Sequence, residues 1–473
     1  MNETMRERSR FMSNCAVILA AGEGKRMKSK HSKVLCEVLF KPMLGWVLDA
    51  AAAAGAADRC VVTGHGCGEV EGYLQGRGDG CETVRQGERL GTGHAVLQAA
   101  DFLSRHAGES VLVLCGDAPL MDGESIRGAY EEHREKGNAV TVISAVVSEP
   151  TGYGRILRTP QGGISGIVEE KNANEGQKAI REINSGGYWF AVDDLLSVLP
   201  ALPKNPVTGE YYLTDTIELL LKQGKKAGAF AAASEDVVLG ANDRVQLAAL
   251  NDRARARILK EQMINGVSIP CTDGVLIGPD VTIGPDTVIL PGTILRGKVT
   301  VGEDCVIGPN SLLEDSTVGS HAKLNAVQCY QSTVHDGVTA GPFVHIRPNS
   351  ELKAGVKVGD FVEIKNSVIG CGTKVPHLTY VGDSDVGEHV NFGCGCVTVN
   401  YDGKSKNRCV VGDHAFIGCN TNLIAPVRIG EYGYTAAGST ITDDVPQNAL
   451  AIARARQVVK PMWVTSKREK DQG

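Results

Sequence analysis

Three groups of residues in this 473-residue chain have types and spacings suited to chemistry. The first is Leu19, Ala20, Ala21, Gly22, Glu23, Gly24, Lys25, Arg26 and Met27, with Lys33 shortly after. It leaves the apolar run that begins at Cys15, predicted to be a strand. A glycine turn at a strand end lets backbone N–H groups approach phosphate oxygens, and Arg26 and Lys33 supply charge to offset a developing phosphorane. The turn fits neither GxGxxG nor GxxxxGK[ST], and taken by itself it reads equally well as a tight turn with solvated basic residues. The second is Leu114-Cys115-Gly116-Asp117, a carboxylate ending an apolar run, suited to a hard cation. The third is His377, within Val375-Pro376-His377-Leu378-Thr379-Tyr380. An imidazole there could take the proton of an attacking amine, although a lone histidine in a loop is more often only polar surface.

Two different periodicities must position these groups. From about residue 14 to 240, short apolar runs at 17–19, 59–63, 111–115 and 139–143 alternate with helix-like stretches such as Met43–Ala54 and Gly93–Leu103, which predicts an α/β sheet covered on both faces. Residues 243–262 lack Gly and Pro and place Val245, Ala249, Leu250, Ala254, Ile258 and Leu259 near helical spacing, predicting a connecting helix. Beyond residue 265 the period is six. Ile277, Ile283, Ile289, Leu295, Val301, Ile307 and Leu313 keep one phase, resumed by Ile346, Leu352, Val358 and Ile364 and again by Val411, Ile417, Leu423, Ile429, Thr435 and Ile441. Such hexads predict a parallel β-helix. The phase breaks between Ile369 and Val411, and interruptions of a solenoid are where functional loops sit.

Composition agrees. Glycine takes 57 positions, about 12% where about 7% is usual, and aromatics only 5%, as a glycine-punctuated coil requires. The net charge of −6 offers no basic field for nucleic acid or anionic lipid. Fourteen cysteines form no C-x-x-C pair and read as reduced thiols of a cytoplasmic protein, and no apolar run is long enough to span a membrane. The expected divisions are a disordered leader (1–13), an α/β domain (14–240), a linker helix (241–264), a β-helix (265–455) and a tail (456–473).

The first turn resembles the L-x-x-G-x-G-x-R-M…K signature of sugar-1-phosphate nucleotidyltransferases. Further segments follow in the order that family has: Gln86 to Ala95, Gly116-Asp117, Tyr153-Gly154-Arg155, Ile167 to Lys171, Glu182 to Gly186 and Gly240 to Arg244. With His377, Tyr380, Asn391, Asn400 and Tyr401, and with Arg347 and Lys365 upstream, nearly the whole chain resembles the bifunctional N-acetylglucosamine-1-phosphate uridyltransferase/glucosamine-1-phosphate acetyltransferases. The resemblance implies a Rossmann-like nucleotidyltransferase domain with a mixed, mainly parallel sheet, followed by a left-handed parallel β-helix; the six-residue period alone leaves the hand open.

It also implies roles. Leu19, Ala20, Ala21, Gly22, Lys33, Gln86, Gly91 and Thr92 would hold UTP, with Arg26 and Lys33 catalytic. Asp117 and Asn242 would bind Mg²⁺, and Gly154, Glu169, Asn184 and Asn242 the N-acetylglucosamine-1-phosphate. In the second half His377 would be the base. Arg347, Lys365, Tyr380 and Asn391 would hold glucosamine-1-phosphate, and Cys394, Asn400, Tyr401, Cys419, Ala437 and Arg454 would line acetyl-CoA. Arg89 stands where uridylyl-transferring relatives more often carry Gln, and Cys394 and Cys419 where relatives commonly have Ala and Ser. The product would be UDP-N-acetylglucosamine, a precursor of bacterial surface polysaccharides, made by a homotrimer. A rival reading is a monofunctional nucleotidyltransferase whose β-helix only trimerises, and the His377, Tyr380, Asn391, Asn400-Tyr401 set weighs against it. A zinc site of the H-x4-H type is excluded because no histidine has a partner five residues on.

Overall fold

The computed structural model describes residues 14–471; the expected leader and the last two residues of the tail lie outside the described residues. The chain divides into two compact units, Met1–Ala256 and Arg257–Gly473.

The first unit is built on strands β1 (Asn14–Ala20), β2 (Ala56–Thr63), β3 (Glu82–Arg85), β4 (Ser110–Cys115), β5 (Val140–Val146), β6 (Arg155–Arg158), β7 (Ile164–Val168), β8 (Glu182–Ala191) and β9 (Ala227–Ala231). The sheet order is β9-β5-β8-β4-β1-β2-β3, with the β6–β7 hairpin attached to β8. Strands β3, β2, β1 and β4 run parallel, as do β9 and β5, whereas β8 is antiparallel to both neighbours. The sheet is therefore mixed. Alternate residues of each central strand feed opposite cores, as the two-residue period of a strand dictates. Cys15 and Val17 pack beneath helices α2 (Thr92–Gln98) and α3 (Ala100–Ser104), while Ala16 and Ile18 pack beneath α1 (Met43–Ala53) and α4 (Gly123–Lys136). The single helix expected over Gly93–Leu103 is thus two short ones, broken at Ala99. Asp122 caps α4 by accepting from Ser125 N at 2.7 Å, and Gly137 ends it at φ 61°.

The linker is a 21-residue helix, Arg244–Ile264. It buries Leu247, Leu250, Ala254, Ile258 and Leu259, but Val245 is 80% exposed and Ala249 also faces solvent, so the apolar stripe begins at Leu247 rather than at Val245.

In the second unit three hexads make one turn. Ile277 pairs with Leu295 and Ile283 with Val301, each eighteen residues on, so three flat sheets form a triangular coil. Face one runs from Leu276–Ile277 to Thr440–Ile441, face two from Thr282–Ile283 to Val427–Ile429, and face three from Val288–Ile289 to Leu450–Ala451. Every hexad residue named above is buried inside, each such aliphatic adding about 1.5–3 kcal/mol by leaving water. The corners are left-handed. Along the corner from face three to face one, Asn310, Ala326, Phe343, Phe361, Leu378 and Asn420 all have φ between 46° and 59°. The coil is not broken between Ile369 and Val411. Val375, Val381, Val386 and Phe392 stack inside it, and the phase merely slips by one residue at some corners. The real excursion is narrower: Val397 pairs with Asn422, twenty-five residues on, and residues 400–408 loop outward between them.

Candidate active sites

In the first unit the glycine turn lies between β1 and a helical turn at Lys25–Met27. Gly24, at φ 63°, leaves room for the stem of Lys33, whose Cβ lies 2.7 Å from where a Gly24 Cβ would be. Lys33, nearly buried, pairs with Asp117 at the end of β4 and donates to Asn242 Oδ1 at 2.8 Å. Three residues far apart in sequence thus converge on one point of positive charge. Two hard oxygens aimed at a cation fit Mg²⁺, which is commonly held by one or two carboxylates with waters and phosphates completing the shell. Among the described residues no group of three or more His, Cys, Asp or Glu could hold a metal alone.

A cleft of about 720 Å³ opens beside the turn, lined by Leu19, Ala21, Gly22, Gln86, Gly91 and Thr92 among others. Ala20 is buried behind it and Arg26 is exposed outside its lining, where Lys25 stands instead. Gln86 is fixed: its Nε2 donates to Gly91 O at 3.0 Å and lies 3.0 Å from His94 Nδ1. Gly91 must be glycine, because at φ 96° a Cβ would stand 2.6 Å from Tyr211 O. Arg89 spans the mouth, donating to Glu23 at 3.1 Å.

Gly154, Glu169 and Asn184 also assemble. Asn184 N donates to Gly154 O at 2.9 Å, and a Cβ on Gly154 would sit 3.3 Å from Glu169 Oε1. Burial, then the charge of Asp215, raises Glu169 above the ordinary carboxylate range. Arg155, fully buried, ties Glu170 (2.6 Å) to the Tyr153 carbonyl and so braces both loops. The spacing of Arg155 and Glu170 in the sequence gives no sign of this brace.

In the second unit two groupings form at opposite corners of face one. At the corner from face one to face two, a recess of about 580 Å³ is lined by Arg347, Lys365, Asp383, Lys406 and Arg408 among others. Arg347 donates to Glu363 at 2.8 Å, and Lys365 to Asp383 at 2.8 Å. Asp383 is buried and also accepts from Asn366 at 2.6 Å and from Asn400, whose amide reaches Tyr380 Oη at 3.3 Å. These donors hold Asp383 below its ordinary value despite the opposing effect of burial. Contact with Lys365 pushes the Lys406 ammonium down, an effect that the charge of Asp383 partly opposes. Asp383, Lys406 and Arg408 were missed because they belong to no hexad; the twenty-five-residue spacing was the legible trace of Lys406 and Arg408.

At the other corner, His377, Cys394, Cys419 and Ala437 form a column. Each immediately precedes a left-handed corner residue, namely Leu378, Gly395, Asn420 and Gly438. Backbone bonds join successive rungs: Gly395 N to His377 O (3.4 Å), Asn420 N to Cys394 O (2.8 Å) and Gly438 N to Cys419 O (2.8 Å). Three rung spacings make a track of about 14 Å. Arg454 closes its upper end, its Cδ 3.7 Å from where a Gly438 Cβ would lie. Asn391 sits on face three beside His377's strand, and Tyr401 is exposed on the excursion, so neither lines the recess.

A strand-end phosphate turn with a converging lysine, aspartate and asparagine, on a chain continuing into a hexad-built coil, defines a nucleotidyltransferase joined to a hexapeptide-repeat transferase. Residues 15–238 match the nucleotidyl transferase family and residues 280–315 the bacterial transferase hexapeptide (six repeats). Over 96% of its length the chain is 48% identical to the bifunctional protein GlmU of Acetivibrio thermocellus, covering 97% of that protein. It is 50% identical to that of Caldanaerobacter subterraneus and 45% to that of Clostridioides difficile, over 96% of this chain and 98% of each relative. The chain belongs to the bifunctional GlmU family.

Proposed function

We propose that the second unit transfers an acetyl group from acetyl-CoA to the amine of glucosamine-1-phosphate, and that the first couples the product to UTP, releasing pyrophosphate and forming UDP-N-acetylglucosamine. The observation that carries this reading is the presence, in one chain, of two separate sites, each gathered from residues distant in sequence.

In the first site the N-acetylglucosamine-1-phosphate oxygen is already a nucleophile, so no base is needed; alignment and charge neutralisation suffice. Gly22 and its neighbours cradle the triphosphate and Lys33 neutralises it. With its nitrogen committed internally, the Gln86 amide keeps its oxygen to accept the N3–H of uracil. Asp117 and Asn242 would hold Mg²⁺, which would offset charge on the reacting phosphates. Glu169, Asn184 and Gly154 hold the sugar.

In the second site Arg347, Lys365 and Lys406 bind the sugar phosphate, His377 takes the amine proton as nitrogen attacks the thioester, and Cys394, Cys419, Ala437 and Arg454 carry the coenzyme arm. Phe343, Phe361 and Leu378 stand 57–61% exposed along the same corner, the two rings stacked at 5.4 Å. An exposed apolar stripe of this kind is what a second copy of the chain would cover, which supports the homotrimer and a site shared between subunits. All fourteen cysteines are free, which fits a reducing cytoplasm, and no helix among the described residues is long and apolar enough to cross a membrane.

Two assays on one preparation test the reading: pyrophosphate release from UTP and N-acetylglucosamine-1-phosphate with Mg²⁺, and thiol release from acetyl-CoA and glucosamine-1-phosphate without UTP. Absence of either activity from the folded wild-type protein would refute it.

A further inference from the structure

We infer that Asp360 is a positioning residue for His377, accepting a hydrogen bond from its Nδ1–H so that Nε2 is left as the base. This rests on the reading of His377 as the acetyl-transfer base.

Asp360 and His377 are ladder partners on successive rungs. Both stand immediately before left-handed corner residues, Phe361 at φ 58° and Leu378 at φ 46°, so their side chains leave the coil from the same corner. Leu378 N donates to Asp360 O at 3.0 Å, and the carboxylate Oδ1 lies 3.3 Å from His377 Nδ1. The rungs are drawn close just before the pair: a Cβ on Gly359 would lie 1.8 Å from Pro376 O, so only glycine permits this approach. Asp360 and His377 are each about half exposed, and ion pairs so exposed add little stability. The arrangement therefore does more for the imidazole than for the fold.

The chemistry balances. As the amine nitrogen bonds to the thioester carbonyl carbon, its proton passes to Nε2, and the Asp360 carboxylate faces the imidazolium so formed. When the C–S bond breaks, that proton leaves with the coenzyme thiolate, returning the neutral imidazole with hydrogen on Nδ1. Without a carboxylate the imidazole is free to carry its proton on Nε2, which cannot act as base.

The test uses the full-length protein and acetyl transfer followed by thiol release, with uridylyl transfer as the internal folding control. Asp360→Asn and Asp360→Ala should lower the acetyl-transfer kcat by about tenfold or more, a part of the 10²–10⁴ a general base supplies. KM for both substrates should stay within about twofold, and uridylyl transfer should not change. Asp360→Glu should restore most of the rate, and Asp360→Ala should cost nothing further in a His377→Ala background. An unchanged kcat in Asp360→Asn beside an inactive His377→Ala would overturn this inference alone, as would an equal loss in the His377→Ala background. Full acetyl transfer by His377→Ala would overturn the base reading, and the inference with it.

Discussion

Gly154 and Glu169 show how little space a single atom has at the end of the first site proposed to hold the sugar. Gly154→Ala would place a methyl 3.0 Å from Ile167 and 3.3 Å from the Glu169 carboxylate, so KM for N-acetylglucosamine-1-phosphate should rise severalfold with the acetyl reaction untouched, as initial-rate kinetics would show. The raised pKa of Glu169 carries a sign. The folded state holds its proton more tightly than the unfolded chain, so ionised Glu169 costs stability above its unfolded value, and that cost fades as pH falls through the raised value. Glu169→Gln should therefore melt higher than wild type near neutral pH, with the gap closing in acid, while binding the sugar phosphate more weakly. Both residues were legible in the sequence because they sit in contiguous motifs. Asp383 was not, since its meaning comes from three partners delivered by neighbouring rungs.

The hexad positions show what an element's sequence can and cannot disclose. Ile277 to Leu313 set the coil plainly, because a flat face three hexads per turn puts each aliphatic on the one eighteen residues before. Leu313→Ala, fully buried, should cost about 2–5 kcal/mol in denaturant unfolding of the second unit. Between Ile369 and Val411 the strict period failed while the stacking continued, because shortening a corner by one residue leaves the next aliphatic pointing inward. The linker misled in the other direction: Val245 has the right type and spacing yet faces solvent, a matter of where the helix lies on its unit, not of period. The corner column yields an element-scale prediction. Cys419 is exposed and Cys394 partly so, on the track read as the coenzyme path. Alkylation should suppress acetyl transfer, acetyl-CoA should protect, and Cys394→Ala/Cys419→Ser should confer resistance. Uridylyl transfer should survive, because no cysteine is among the residues that line the first unit's cleft.

At the scale of the molecule, the α/β class, the change of period near residue 265 and the two kinds of chemistry could all be read before any coordinate. What could not be read was assembly within each unit: Lys33 bridging Asp117 and Asn242, or the recess and His377 standing at opposite corners of one face. If neighbouring copies complete the second site, charge on the exposed corner should undo both assembly and acetyl transfer. Phe361→Glu should shift the light-scattering mass toward the monomer and abolish acetyl transfer, while the first unit's uridylyl transfer persists. The central claim is that two independent active sites reside on one chain. The most direct measurement is both activities in parallel for Asp117→Ala and His377→Ala. Independent sites require Asp117→Ala to lose only uridylyl transfer and His377→Ala only acetyl transfer; loss of both activities from either folded variant would contradict that independence.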